Sequence, residues 1–290
     1  MKPVDDYLPF RTATVLDSLA KLPAMPVAAA SVIRLLNRGE GDAAALAAAV
    51  ACDPVLAARV LQVANSSFYG LARRIRTIQD AVVVLGQKAL RNMVLAMAIK
   101  GMHSHFGAVE KKLWEESIGH ACAARLVARR CGVCDVEEAF LAGLVCSIGE
   151  LVCNNQAPDK YLQVLEQQQQ QRLSRDALAP AQFDFSFSQI GASVLYHWKL
   201  APEIVLATLF SCQPDLPADL EPTATALAHT VFFARCLCCH LALGNYHSPC
   251  QDLQQALQRS QLPLPADELQ DFVASLTEQL RESTAALTNA

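Results

Sequence analysis

The chain has 290 residues, 52% of them hydrophobic, 18% charged and 6% aromatic, with a formal net charge of -4 and a pI near 6.0. That length can bury a substantial core in one large or two smaller domains. The acidic balance removes any global electrostatic drive toward nucleic acid or anionic membrane, so neither partner is expected, although a local basic patch stays open. The longest apolar runs, such as Ala43 to Ala51 and Ala81 to Leu85, fall short of the roughly 20 residues that span a bilayer. Met1 to Asp6 has no signal-peptide core, which points to the cytoplasm. Eleven cysteines, an odd number embedded mostly in apolar helical context, fit reduced, buried thiols better than a disulfide framework.

Helical punctuation recurs along the chain. Asp53-Pro54 pairs an N-cap acceptor with proline at the first helical position, and a helix from about Pro54 to Ser66 follows, with Leu56, Val60, Leu61, Val63 and Ala64 on one stripe. Asn65, Ser66 and Tyr69, with Phe68 beside them, can tie off the last carbonyls of that helix. Thr77-Ile78-Gln79-Asp80 opens a further helix that should stop near Gly86. Leu90 to Ile99 reads as a buried helix.

Further helices are expected over Val109 to Cys131, Val136 to Cys153, Asp159 to Leu173, Ser188 to Trp198, Pro202 to Cys212 and Thr223 to Leu243. Two amphipathic ones, Cys250 to Ser260 and Ala266 to Leu287, finish the chain. With no hairpin signal, the expected fold class is all-α. The glutamine run Gln167 to Gln171 reads as a solvated helix end. A loop at Ser104 to Ala108 suggests three parts: an N-terminal bundle over 1–105, a second helical part over 106–245 and a C-terminal extension over 246–290.

A set of motifs then carries a resemblance. Leu22-Pro23-Ala24-Met25-Pro26, the run Asp53-Pro54 to Tyr69-Gly70, Ile78 with Ala81, Leu85-Gly86 and Leu90-Arg91 resemble the HDOD domain, a bacterial signalling module related to HD phosphohydrolases. The likeness continues through Leu113-Trp114, Glu138 to Leu144 and Ile190-Gly191-Ala192 with Trp198, covering roughly residues 15 to 245. It implies an N-terminal bundle packed on a degenerate HD-like subdomain.

HD enzymes hold divalent metals with histidine and aspartate, which lower the pKa of bound water against phosphate. Residue by residue, the resemblance places Glu116 at the first histidine, Cys146-Ser147 at the His-Asp pair, Phe187 at a later histidine, Ser211-Cys212 at the paired histidines and Arg235 at the last aspartate. Phenylalanine cannot ligate, serine ligates poorly and arginine repels a cation, so no metal, cofactor or catalytic residue is expected. Because the first histidine and last aspartate share a metal in the parent architecture, the resemblance implies that Glu116 and Arg235 lie near each other, either as an ion pair that clamps the helices or with both side chains turned to solvent. His120, one turn beyond Glu116, reads as a packed or solvent-facing residue that could partly replace a lost ligand. His103 and His105 read as solvated loop residues.

Cys131 and Cys134 have zinc-ligand spacing without a second pair, and Cys236, Cys238, Cys239 and His240 lie in an apolar helix, so buried cysteine is the better account of both clusters. Arg73, Arg74 and Arg76, with Lys88 and Arg91, read as solvated charges or as a face for an anion or acidic partner. The function expected from the resemblance and the replaced ligands is noncatalytic signalling through other signalling proteins. A nucleotide or phosphate ligand in the degenerate pocket and homodimerisation are left open. The competing class is a metal-dependent phosphohydrolase or cyclic-nucleotide phosphodiesterase with an atypical site.

Overall fold

A computed structural model of the chain describes residues 4–8, 15, 24–72, 74–103, 107–243 and 252–288. Every regular element among them is helical, so the fold is all-α. Contacts divide the chain into two compact units, a smaller one of Pro23–Ser104 with Gln279–Ala290 and a larger one of Met1–Leu22 with His105–Glu278.

The smaller unit contains α1 (Val27–Asn37), α2 (Ala43–Ala51), α3 (Pro54–Ala64), α4 (Ile78–Leu85) and α5 (Gln87–Gly101). Side-chain caps set several of these starts. Asp42 accepts from the Ala45 amide at 2.7 Å, Asp53 from those of Val55 and Leu56 at 3.0 Å, and Thr77 from that of Asp80 at 3.0 Å. Gly86, at φ +92°, both ends α4 and begins α5, a conformation that a side chain would strain. α2 packs on α4, α3 on α5, and α1 on both α2 and α5, burying Val32, Leu46, Val50, Val60, Ala81, Leu90 and Val94.

The larger unit is built around α6 (Ala108–Cys131), which packs along α7 (Val136–Val145). Gly143 makes that approach feasible, because a Cβ there would stand 2.5 Å from the His120 carbonyl oxygen. α8 (Ile148–Gln156), α9 (Pro158–Gln171) and the short α10 (Arg175–Leu178) and α11 (Pro180–Phe183) follow, then α12 (Phe187–His197), α13 (Pro202–Leu209) and α14 (Pro222–His240). α8 crosses α12 where Gly149 meets Gly191; a Cβ on Gly149 would lie 2.0 Å from the Phe187 carbonyl oxygen. α14 closes the unit against α6, α7 and α13.

α15 (Leu253–Ser260) packs on α14, and α16 (Leu269–Thr288) starts in the larger unit and ends in the smaller one. This departs from the division expected at 105/106 and 245/246. At the N-terminus, Val4 and Tyr7 pack on Leu206, Leu220 and Ala224, and the Tyr7 hydroxyl donates to the Asp219 carbonyl at 2.8 Å. At the C-terminal side, Arg130 pairs with Glu268 and Arg259 with Asp215 at 2.8 Å, tying residues 252–278 to the larger unit.

The single helix expected over Val136 to Cys153 is broken. α7 stops at Val145, α8 starts at Ile148, and Cys146-Ser147 form the joint. The glutamine-rich α9 stops at Gln171, short of the expected Leu173, because Arg172 turns the chain at φ +55°. Gln168 in that run is buried, while Gln169, Gln170 and Gln171 are exposed. α15 begins at Leu253, where Asp252 caps it by accepting from the Gln254 amide at 2.9 Å.

Candidate functional site: a guanidinium held between buried carboxylates

Glu116 and His120 lie one turn apart on α6, so they project from the same face of that helix, and both are buried. The α7–α8 joint brings Cys146 and Ser147 to that face. His120 Nδ1 lies 3.5 Å from Cys146 Sγ and 3.5 Å from Ser147 Oγ, and the Cys146 thiol donates to the Gly143 carbonyl at 3.1 Å. From α14, Arg235 Nη1 donates to Ser147 Oγ at 3.0 Å and to Cys146 Sγ at 3.4 Å. The break in the helix therefore aims both side chains of the joint at polar partners.

The partner of Glu116 is Arg175, not Arg235 as the ion-pair alternative has it. Arg175 Nη1 and Nη2 donate to Glu116 Oε1 and Oε2 at 3.2 and 2.5 Å. The same guanidinium pairs with Glu150 on α8, Nε to Oε2 at 2.7 Å and Nη2 to Oε1 at 3.3 Å. Tyr161 on α9 adds a hydroxyl donor to Glu150 Oε2 at 2.8 Å. All of these side chains are buried, with Arg175 at 7% and Glu116 at 2% exposure, so water screens the charges little. Arg235, attached to a different helix, contributes only a longer-range attraction to Glu116.

The neighbouring Asp176 accepts from the Ser188 amide at 2.7 Å and the Ser188 hydroxyl at 3.0 Å, at the start of α12. Phe187 forms an apolar wall, its ring 5.6 Å from that of Tyr161 and 5.7 Å from that of Phe183. Ser211 and Cys212 follow α13, their Oγ and Sγ 3.8 Å apart, and the Cys212 thiol feels the charge of Arg235.

Burial sets the protonation of this cluster. It pushes the Glu116 carboxyl above the ordinary carboxylate range against the opposing pull of Arg175, and raises Asp176 despite the Ser188 amide. His120 is driven well below the ordinary imidazole range by burial, then by the charges of Arg235 and Arg175, which keeps it neutral. Burial pushes the Cys212 thiol up to about 12 and raises Tyr161.

A divalent metal does not fit this donor set. Glu116 already has both oxygens committed to Arg175, and an added cation would face the guanidiniums of Arg175 and Arg235. Among the described residues, no group of three or more His, Cys, Asp or Glu could hold a metal ion. The same holds for Cys131, Cys134, Cys236, Cys238, Cys239 and His240; Cys134 Sγ instead lies 3.6 Å from Thr230 Oγ1.

Thus Glu116, Cys146, Ser147, Cys212 and Arg235 converge, with Phe187 as a wall. Arg175, Glu150, Tyr161 and Asp176 are additions that spacing did not single out. A local signal existed for Arg175 and Asp176, since Ser174 caps their turn by accepting from the Ala177 amide at 3.2 Å.

In the smaller unit, Asn65 donates to the Leu61 carbonyl at 2.7 Å and Ser66 to that of Val63 at 2.7 Å, closing α3, while Phe68 and Tyr69 meet edge to face at 4.8 Å. Arg74 and Arg76 are exposed and line one cavity. Arg91 donates to Asn92 Oδ1 through Nε and Nη2, both at 3.3 Å, and Lys88 is exposed in the first turn of α5. Arg73 and His105 lie outside the described residues.

Fold and site together define an all-helical domain with a buried ion-paired cluster where α6, α8, α9 and α10 meet. The HDOD domain model matches residues 22–214, and the chain belongs to that family. An HDOD domain protein of unknown function from Geobacter sulfurreducens is 26% identical with a TM-score of 0.78, the match covering 98% of each chain. A Shewanella amazonensis SB2B protein provisionally called a phosphohydrolase is 26% identical with a TM-score of 0.74, covering 95% of this chain and 98% of that one. An uncharacterised Treponema pallidum protein is 22% identical over 219 residues, which are 74% of this chain and 42% of that protein, so the match spans less than half of its length.

Proposed function

We propose that this chain is a noncatalytic regulatory module of bacterial signal transduction that works through contacts with other proteins. The observation that carries this reading is the Arg175 guanidinium held between Glu116 and Glu150; the resemblance to HD phosphohydrolases supports it by assigning metal-ligand positions to Cys146, Ser147, Phe187, Ser211, Cys212 and Arg235. A fixed positive charge there joins α6, α8 and α10, and offers neither a Lewis acid nor an activated water. The cluster sets Glu116, Glu150 and Asp176 against Arg175 and Arg235, so it has no surplus positive charge for an anionic ligand. We accordingly assign the regulatory work to protein contacts instead of to a nucleotide held in this cluster. No helix among the described residues is long and apolar enough to cross a membrane.

The test is hydrolysis of bis-p-nitrophenyl phosphate and of cyclic mono- and dinucleotides by the purified chain with manganese, magnesium or nickel. The reading expects no turnover above a no-protein control. Metal-dependent turnover that disappears in Glu116→Ala would overturn it and establish the phosphohydrolase alternative.

A further inference from the structure

The charge of the chain is divided unequally between its two units. Pro23–Ser104 with Gln279–Ala290 carry ten Lys and Arg against five Asp and Glu, a net of +5, whereas the remaining residues carry fourteen against twenty-three, a net of -9, together the -4 of the whole. A cationic unit inside an acidic chain is a local electrostatic feature that the overall charge conceals.

Within that unit lies a cavity of about 970 Å³, lined by Leu61 and Gln62 of α3 and by Asn65 just beyond its end, by Arg74 and Arg76, and by Ala286 of α16. Asn65 builds its basic side. The Asn65 amide donates to the Ile75 carbonyl at 2.9 Å and accepts from the Ile75 amide at 2.8 Å, so the backbone between the two arginines is held from both directions. Ile75 is buried at 2% exposure while Arg74 and Arg76 are exposed, and both arginines line the cavity. Neither guanidinium has a hydrogen-bond or ion-pair partner among the described residues, and no carboxylate is among the residues that line the cavity.

We propose that this cavity binds a small phosphate ester of the nucleotide class, with its phosphates on Arg74 and Arg76. Two neighbouring guanidiniums supply the forked donors that phosphate oxygens accept. Leu61 and Ala286 present an apolar wall to the body of the ligand, and the Gln62 amide offers both a donor and an acceptor. The volume falls within the range of roughly 300–1,000 Å³ usual for small-molecule sites. An acidic peptide would share the charge preference but presents its carboxylates singly, without the array of acceptor oxygens that a phosphate offers to two guanidiniums. The proposal goes beyond the regulatory reading and is independent of the buried cluster in the larger unit.

Calorimetric titration of the full chain with inorganic pyrophosphate, ATP and GMP, each alone, tests it. At least one probe should bind, and the double variant Arg74→Gln/Arg76→Gln should weaken that binding by about tenfold or more, while Arg74→Lys/Arg76→Lys retains part of it. Both arginines are exposed, so the glutamine variant should melt like the parent. Arg235→Gln should leave the affinity unchanged. Absence of binding by all three probes at millimolar concentration, equal affinity in the glutamine variant, or loss of binding in a folded Arg235→Gln variant would each overturn the proposal. Tighter binding of a twelve-residue polyglutamate peptide than of every phosphate probe would also overturn it, in favour of a protein partner.

Discussion

Arg175 and Glu116 form a two-pronged contact across 59 residues of sequence, Nη1 to Oε1 at 3.2 Å and Nη2 to Oε2 at 2.5 Å. The same guanidinium also neutralises Glu150. Truncation in Arg175→Ala therefore leaves two buried carboxylates facing one another, and should destabilise the chain by about 3–5 kcal/mol in urea unfolding. The triple variant Glu116→Gln/Glu150→Gln/Arg175→Met should recover most of that loss. Equal stability of Arg175→Ala and the parent would show that the pair carries no structural load.

Two buried groups give the stability opposite pH dependences. Glu116 has its carboxyl raised in the fold, so the native state holds more protons than the unfolded chain between the ordinary carboxylate range and the raised value. Its stabilising contribution is present at low pH and is lost as pH rises through that window. His120 is lowered, so the unfolded chain takes up the proton first, and its contribution is lost as pH falls below about 6.5. Melting curves between about pH 7.5 and 5.5 should fall less steeply toward acid in His120→Gln than in the parent. Glu116→Gln should lose less stability than the parent as pH rises above the ordinary carboxylate range.

The crossing of α8 and α12 depends on residue 149 having no side chain. In Gly149→Ala the new Cβ would meet the Phe187 carbonyl oxygen at 2.0 Å and the Gly191 amide nitrogen at 2.9 Å, both of them backbone atoms that cannot rotate away. A loss of about 3 kcal/mol or more is expected. Gly101→Ala, at the end of α5 with nothing within 4 Å of the added carbon, should instead be neutral or stabilising by about 0.5–1 kcal/mol. Denaturant midpoints of the two variants compare them directly.

Asn65→Ala removes the contacts to both sides of the Ile75 peptide along with the closure at Leu61. The expected cost is about 1–3 kcal/mol. Amide hydrogen exchange should show the Ile75 amide losing protection in this variant, whereas the same change at Ser66 should leave it protected.

Thiol alkylation should follow exposure. Cys52 is exposed, whereas Cys122, Cys146, Cys153 and Cys238 are buried, and burial also holds the thiols of Cys153, Cys212 and Cys238 above their ordinary range. Among the described cysteines, mass spectrometry after brief iodoacetamide treatment should find Cys52 modified well before these others. Early modification of Cys146 would mean that the cluster opens in solution.

Local chemistry made much of the fold legible. Asp53-Pro54 and Thr77 act within three residues of themselves, and the apolar stripe of α3 follows from helical spacing alone. The meeting of Cys146 and Ser147 with Arg235 was also readable, since motif spacing groups them. The ion pair was not: Arg175 follows a glutamine-rich helix and sits in a short capped turn, where no periodicity announces a buried charge. Glu150 stands beside Ile148-Gly149 and reads with the flanking helix, because its role emerges only when α10 is brought against α8. The break at Cys146-Ser147 is hidden for a related reason, since apolar residues on both sides continue the helical pattern across it. Pairing Glu116 with Arg235 assumes that residues replacing ligands of a common ion must touch; the geometry gives each of them a different neighbour.

The course of α16 has a consequence for the order in which the protein is made. Its residues from Gln279 onward belong to the unit that begins at Pro23, where the Lys100 ammonium donates to the Thr288 carbonyl at 3.2 Å. On the ribosome, residues 23–104 emerge before 105–278 but must wait for the whole of that stretch before their last helical segment is synthesised. The later-emerging unit can thus gather nearly all of its contacts while the earlier one is still incomplete, so completion of the smaller unit is timed by translation of the larger.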